Sequence, residues 1–349
     1  MKSRIARRLG LGGILVLLGG IAVLPAGEYH QIQKYTYAAA PGSKGEYFDY
    51  ITMDSAARRV YLSRGTEIEV ISADTGKEIG TITGLERDHG VAIAHDFNRG
   101  FISDGEQGKV IIFDLKTLRK TGEVNAEKDA DCVAYDPFTK RVFVMEGDPE
   151  SATVINARDG AVVKTIKLGG SPEFAVADGK GTVFINLESK NELIALDART
   201  LEIKSRWSVA PAGGPTALAM DAEHHRLFTA GRKPQMLVVM DSENGKVVQS
   251  FPISGGVDAA VFEPSTGRIF ASTREGKVHI FHEDTPDKYS EVETVQTEVG
   301  AKTMAVDTKT HNIFVDTADF TPPPAPTAER PHPRGGTVLG SFRVLVYGE

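Results

Sequence analysis

The chain has 349 residues, 41% hydrophobic and 25% charged, an ordinary globular composition that argues against disorder and leaves length for a large core. Its formal net charge is −7 and no Lys/Arg-rich stripe is interleaved with aromatics, so nucleic acid is a poor partner. The single cysteine, Cys132, excludes an intrachain disulfide, a cysteine-anchored lipoprotein and a covalently attached c-type haem.

In chain order, Lys2, Arg4, Arg7 and Arg8 come first, followed by an uncharged apolar run over residues 9–24 that is closed by Pro25, Ala26 and Gly27. This is the layout of a secretory signal peptide, so residues 1–26 are expected to be removed and the mature chain, at net charge −11, to be periplasmic or secreted. The run is short beside the roughly 20 residues of a membrane span. An uncleaved anchor is the alternative, and after cleavage no stable span is expected. Arg7-Arg8 is also compatible with a twin-arginine signal, although Arg pairs are common in such regions.

Next, YHQIQKYTY (29–37) has the alternation of a strand with no partner nearby in sequence. From there the chain repeats. The residues that close seven short apolar runs are Asp54, His95, Asp136, Asp178, Asp221, Glu263 and Asp307, at intervals of 41, 41, 42, 43, 42 and 44. A period of roughly 40–45 residues is that of a four-stranded propeller blade. Each unit opens with a nearly all-apolar run such as VAIA (91–94) or FAVA (174–177), expected to be an innermost strand buried on both faces. A second strand follows, for example RVYLS (59–63) or RVFVM (141–145), and then a third such as KVIIFD (109–114). Turns such as ADTG (73–76) and ARDG (157–160) lead to fourth strands such as VVKTIKL (162–168). No segment has a sustained helical period.

The last unit runs from 302–307 through 312–317 to SFRVLVYG (341–348) and lacks a fourth strand. The predicted fold is therefore all-β, a single seven-bladed β-propeller domain over 28–349, with 29–37 closing the ring as the outer strand of blade seven. Within that blade, 318–340 is a proline-rich loop with six prolines in twelve residues, stiffened toward polyproline II.

The second-strand segments VYLS, VFIN and IFAS, with Asp-Thr-Gly-Lys at 74–77, resemble the YVTN family of propeller repeats. Residues 46–348 as a whole resemble the YncE-like exported bacterial proteins of that family. The resemblance implies a periplasmic or surface propeller and assigns no activity, because the shared residues are the ones that build blades.

Five residues before each anchor stand Asp49, Gly90, Asp131, Glu173, Thr216, Asp258 and Lys302. Repeat symmetry places them around one mouth of the channel, with His89 beside Gly90. Four acids in one ring predict a negative funnel. Asp49, His89, Asp131, Glu173 and Asp258 are candidate ligands for a divalent cation, and no other cofactor is indicated. The competing reading is a water-filled pore mouth with solvated acids. Loops after the second strands, including 186–191 and 230–235, could form a rim. The 318–340 loop could be a lid that presents Glu329, Arg330, His332 and Arg334, or a tolerated insertion.

Cys132 falls within an apolar strand and reads as core. His224-His225 falls in the turn between the first two strands of blade five, far from the ring, so a metal role is not expected of it. No nucleophile elbow, H-E-x-x-H pair or Walker loop is present. The expected function is a non-catalytic binding or scaffold protein, acting as a monomer on a small molecule, polymer or protein at the top face. A metal-assisted hydrolase or lyase using the ring acids is the alternative.

Overall fold

The computed structural model describes residues 28–327 and 333–349. The signal-like segment, Glu329, Arg330 and His332 lie outside the described residues. No helix among the described residues is long and apolar enough to cross a membrane.

Seven four-stranded antiparallel sheets follow one another around an axis, each ordered from the channel outward. Blade one has strands Ile51–Asp54, Arg59–Ser63, Glu67–Ser72 and Glu78–Thr83. The first strands of blades two to seven are Asp88–Ala94, Ala130–Asp136, Pro172–Ala177, Pro215–Asp221, Val257–Glu263 and Met304–Asp307. In blade seven the order is Met304–Asp307, Asn312–Thr317, Arg343–Gly348 and then His30–Thr36, so the first strand of the chain completes the last blade. His30–Thr36 pairs antiparallel with Arg343–Gly348, from His30 opposite Gly348 to Thr36 opposite Arg343.

The anchor acids recur because each caps a turn. Asp54, Asp136, Asp178 and Asp221 accept the backbone N–H of Ala57, Thr139, Gly181 and His224. The chain then enters the second strand through a residue with positive φ, including Arg58, Asn98, Lys140, His225 and His311. Short side-chain oxygens that bond to the backbone favour such turns. Blade two departs from this pattern. A 3-10 turn at His95–Phe97 replaces the capped turn, and Ala94, paired with Arg99, holds the place that Asp136 holds opposite Arg141. The anchor chosen at His95 is thus one residue late, and the ring position in blade two belongs to His89, not Gly90.

The core is distributed. Seven apolar clusters each bridge two adjacent blades, as where Phe143 and Met145 of blade three meet Val183 and Ile185 of blade four. An aromatic at the same second-strand position of every blade, Tyr61 through Phe314, is buried in these interfaces. The first strands are less buried than expected. Tyr50, Thr52, Met53 and Val133 are only partly buried because they line a channel cavity of about 310 Å³. The second and third strands are the most enclosed.

Hydrogen bonds stitch neighbouring blades at one end of the axis. Ser63 Oγ donates to Asp88 O at 2.9 Å, Asn186 Nδ2 to Ala217 O at 2.9 Å and Ser272 Oγ to Lys302 O at 2.6 Å. Ser103 Oγ donates likewise to Asp131 O, and Thr303 Oγ1 donates to Asp49 O at 2.7 Å. These bonds hold the backbone at Asp131, Lys302 and Asp49 and at the neighbours of His89 and Thr216.

Candidate functional site at the channel mouth

Each ring side chain follows the first residue of an inner strand or lies just before one, so all of them gather at the stitched end. Lys302 Nζ lies 2.8 Å from Asp49 Oδ1 and also contacts Asp258 Oδ2. Asp49 Oδ2 lies 2.7 Å from His89 Nδ1, and His89 Nδ1 lies 3.1 Å from Asp131 Oδ1. On the other side, Asp258 Oδ1 meets Arg232 Nη2, and Arg232 Nη1 lies 3.3 Å from Glu188. The pairs form a nearly closed circuit whose sign alternates from blade to blade.

The acids are therefore not a bare negative funnel: Asp49 and Asp258 are withdrawn from water into ion pairs, while Asp131 keeps 23% side-chain exposure. Side-chain exposure is 13% for Asp49 and Lys302, 9% for Asp258 and 5% for His89. Removing charges from water is costly, so buried charges are retained only when paired. Burial alone would raise the Asp49 carboxyl, but Lys302 and His89 hold it well below the usual carboxylate range. Burial opposes the charge on His89, yet Asp131 and Asp49 lift its pKa to about 10, so it is an imidazolium at neutral pH. Lys302 is likewise raised by Asp49 and Asp258 against the effect of burial.

Glu173 breaks the alternation. Burial, then Asp131, then Glu188 push its carboxyl up to about 10, and the opposing pull of Arg232 is weaker. It is protonated at neutral pH, and no cation lies within ion-pair distance of it among the described residues. Thr216 is buried and its hydroxyl donates to Val257 O at 2.9 Å, so Arg232 supplies the charge of blade five in its stead.

Arg232 and Glu188 were missed individually, although the loops that carry them were expected at the rim. A signal for them exists. Four residues after the second-strand aromatic stand Gly65, Gly105, Gly147, Glu188, Arg232, Arg274 and Ala318, a second tier that is charged only in blades four to six. The glycines make room on the other side: a Cβ on Gly105 would stand 3.0 Å from His89 Nε2. Arg274 faces Arg334 of the proline-rich loop, whose described part is pinned by Thr337 Oγ1 donating to Glu46 O at 2.6 Å. Arg274 and Arg334 form no ion pair among the described residues.

Two tyrosines complete the mouth. Tyr47 OH is 3.1 Å from His89 Nδ1 and 3.3 Å from Asp49 Oδ2. Tyr50 meets Phe174 edge-on at a centroid separation of 5.4 Å, an aromatic contact between blades one and four beside the apolar channel. Asp49, His89 and Asp131 place their donor atoms within 4.8 Å of one another, close enough to hold a metal ion, whereas Glu173 and Asp258 do not join that trio. Cys132 lines the channel and is buried, and burial pushes its thiol well up. It should not react with a thiol reagent in the native protein and should react fully on unfolding in urea; rapid native labelling would contradict its placement.

No protein-family profile matches the chain. Over 209 residues, 58% of this chain, it is 24% identical to the proteins described as Uncharacterized protein YncE from Salmonella typhimurium and Salmonella typhi. The match spans 57% of the length of these curated relatives. Among solved structures, a chain of the crystal structure of the Mitotic Checkpoint Complex is similar at a TM-score of 0.72 and 11% identity, covering 100% of this chain and 99% of that one. Kuenenia stuttgartiensis Hydrazine Synthase gives 0.69 at 13% identity, covering 79% and 95%. The RRP9 WD40 repeats give 0.71 at 8% identity, covering 90% and 100%. At these identities the likeness shows the propeller fold alone.

Proposed function

We propose that this chain is an exported, YVTN-type binding propeller, a non-catalytic monomer of the periplasm or cell exterior. Its mature domain spans 28–349 after loss of 1–26, and it holds the cationic group of a ligand at the channel mouth beside Glu173. The rim loops would contact the rest of the ligand. One observation carries this reading: the circuit of alternating charges has a cation for every acid pair except in blade four, where Asp131, Glu173 and Glu188 meet with none between Asp131 and Glu173. An ammonium or guanidinium group placed there would let Glu173 ionise and would extend the alternation.

The sign of the pH dependence follows. Glu173 keeps its proton in the folded chain up to about 10 and loses it near 4.5 when unfolded, so stability falls as pH rises between those values. Glu173→Gln removes that loss. It should be more stable than the parent by about 1–3 kcal/mol at pH 8, with the gap closing toward pH 4.5. A cation that binds beside Glu173 displaces its proton. Calorimetry with putrescine and free arginine should show affinity that rises with pH and buffer-dependent proton release, both lost in Glu173→Gln. Binding that is indifferent to this substitution would refute the assignment.

A second reading, a metal-assisted hydrolase or lyase, is favoured by the closeness of Asp49, His89 and Asp131. It requires an ion that Asp131→Asn releases.

A further inference from the structure

We propose that the face opposite the charge ring carries a divalent-metal site of the zinc class, built by Asp221 and His224 of blade five and Glu283 of blade six. Asp221 ends the inner strand Pro215–Asp221, so it stands at the far end of that strand from Thr216. Its Oδ1 accepts the turn N–H groups of Glu223 at 2.9 Å and His224 at 3.3 Å, which fixes the direction of Oδ2. That oxygen lies 2.6 Å from His224 Nδ1.

Glu283 arrives through a departure from the repeat. The outer hairpin of blade six, Lys277–Thr285 and Lys288–Gln296, has nine residues in each strand, whereas third strands elsewhere have six or seven. It is seated on blade five by two hydrogen bonds of 3.0 Å, from Gln249 Nε2 to Tyr289 O and from Tyr289 N to Gln249 Oε1. The extra length carries Glu283 to 3.1 Å from His224 Nδ1, and one donor atom from each of the three residues falls within 4.8 Å of the others.

A buried carboxylate that makes no hydrogen bond is what points to a ligand. The Glu283 side chain is 5% exposed, and neither of its carboxylate oxygens has a hydrogen-bond partner. His224 Nδ1 carries at most one proton, and that proton is directed at Asp221. Arg226 is nearby, but its donors go to Pro286 O, Asp287 and the carbonyls of His224 and His225. Two enclosed carboxylates therefore compete for a single proton on one imidazole. A divalent ion on Nδ1 would bind all three groups, and the two carboxylates would balance its charge. Mixed imidazole and carboxylate donors suit zinc-class ions. A cavity of about 180 Å³ lined by His224, Glu283, Asp284 and Pro286 opens onto the site, leaving a coordination position for water or a small ligand.

The test uses the full mature chain, stripped with EDTA and titrated with Zn²⁺ against a chromophoric chelator. Asp131→Asn serves as the background, so that any ion held at the ring is removed from the count. We expect one equivalent of zinc in that background, weakened by about 100-fold or more on adding His224→Ala. Glu283→Gln should also lose zinc while raising the melting temperature of the metal-free protein, because it removes one of two neighbouring buried carboxylates. Damage to the fold would lower that temperature, so the two causes separate. Zinc uptake unchanged by His224→Ala, or no uptake by the parent chain at neutral pH, would overturn the proposal.

Discussion

Deleting residues 28–40 lowers the stability of the entire ring by more than about 5 kcal/mol. The deletion strips six residue pairs from Arg343–Gly348 and takes away Tyr29, which is buried between blades six and seven. Loss of one large buried aromatic alone costs about 3–5 kcal/mol. Tyr29 also donates to His311 O at 3.0 Å and accepts from Arg268 at 3.1 Å. Every blade packs on two neighbours, so a weakened blade seven loosens blades six and one in turn. Beside this junction, Arg64 is buried between Glu46 and Glu69 with its guanidinium 3.8 Å from the Phe342 ring centroid, and Ala38 O accepts one of its N–H groups. The truncated protein should unfold in one transition at lower urea concentration, and its bared strand edge should promote association. An unchanged midpoint would mean that the N-terminal strand is only an attachment.

Lys302→Met should cost about 3–5 kcal/mol at pH 7, the range seen when one partner of a buried ion pair is removed and the other stays charged. Here one ammonium serves two carboxylates, Asp49 and Asp258, from the blades on either side of its own. The substitution keeps the aliphatic volume, so the loss is electrostatic. Lys302 holds the folded Asp49 carboxyl below its unfolded value, so its contribution is present above pH 4 or so and disappears as acid protonates that carboxylate. The stability difference between Lys302→Met and the parent should therefore narrow below pH 4. Adding Asp258→Asn should recover part of the loss, since it removes one stranded charge. A difference that ignores both pH and the second substitution would assign Lys302 a packing role only.

The architecture was legible in the sequence because it is written seven times. Turn-capping acids, apolar inner strands and second-strand aromatics each recur for a local physical reason, and the unmatched strand at 29–37 announced the closure. The site was legible only in part. Position along the repeat brought Asp49, Asp131, Glu173, Asp258 and Lys302 to one mouth. It misplaced blade two by a residue because a 3-10 turn there interrupts the capping pattern. It could not give sign compensation, since Arg232 and Glu188 come from loops after the second strands and meet the ring only in three dimensions. His224 was passed over because its two partners are the anchor of its own blade and a residue on an elongated hairpin almost sixty positions later.

The charge circuit has a consequence that comes from counting. Its places are held by Asp49, His89, Asp131, Glu173, Arg232, Asp258 and Lys302, one from each blade. Two signs can alternate without conflict around a closed loop only when the number of places is even, and seven is odd. At least one adjacency must set like against like, or one place must carry no charge. The proton on Glu173 is the second solution: with Asp131 on one side and Arg232 on the other, neither an acid nor a base at that place could satisfy both neighbours. An even-bladed propeller with the same inner residues could close its circuit by itself. In this one parity leaves a single neutral place, fixed in position by its neighbours, and only an eighth charge, a cation between Asp131 and an ionised Glu173, would make the count even.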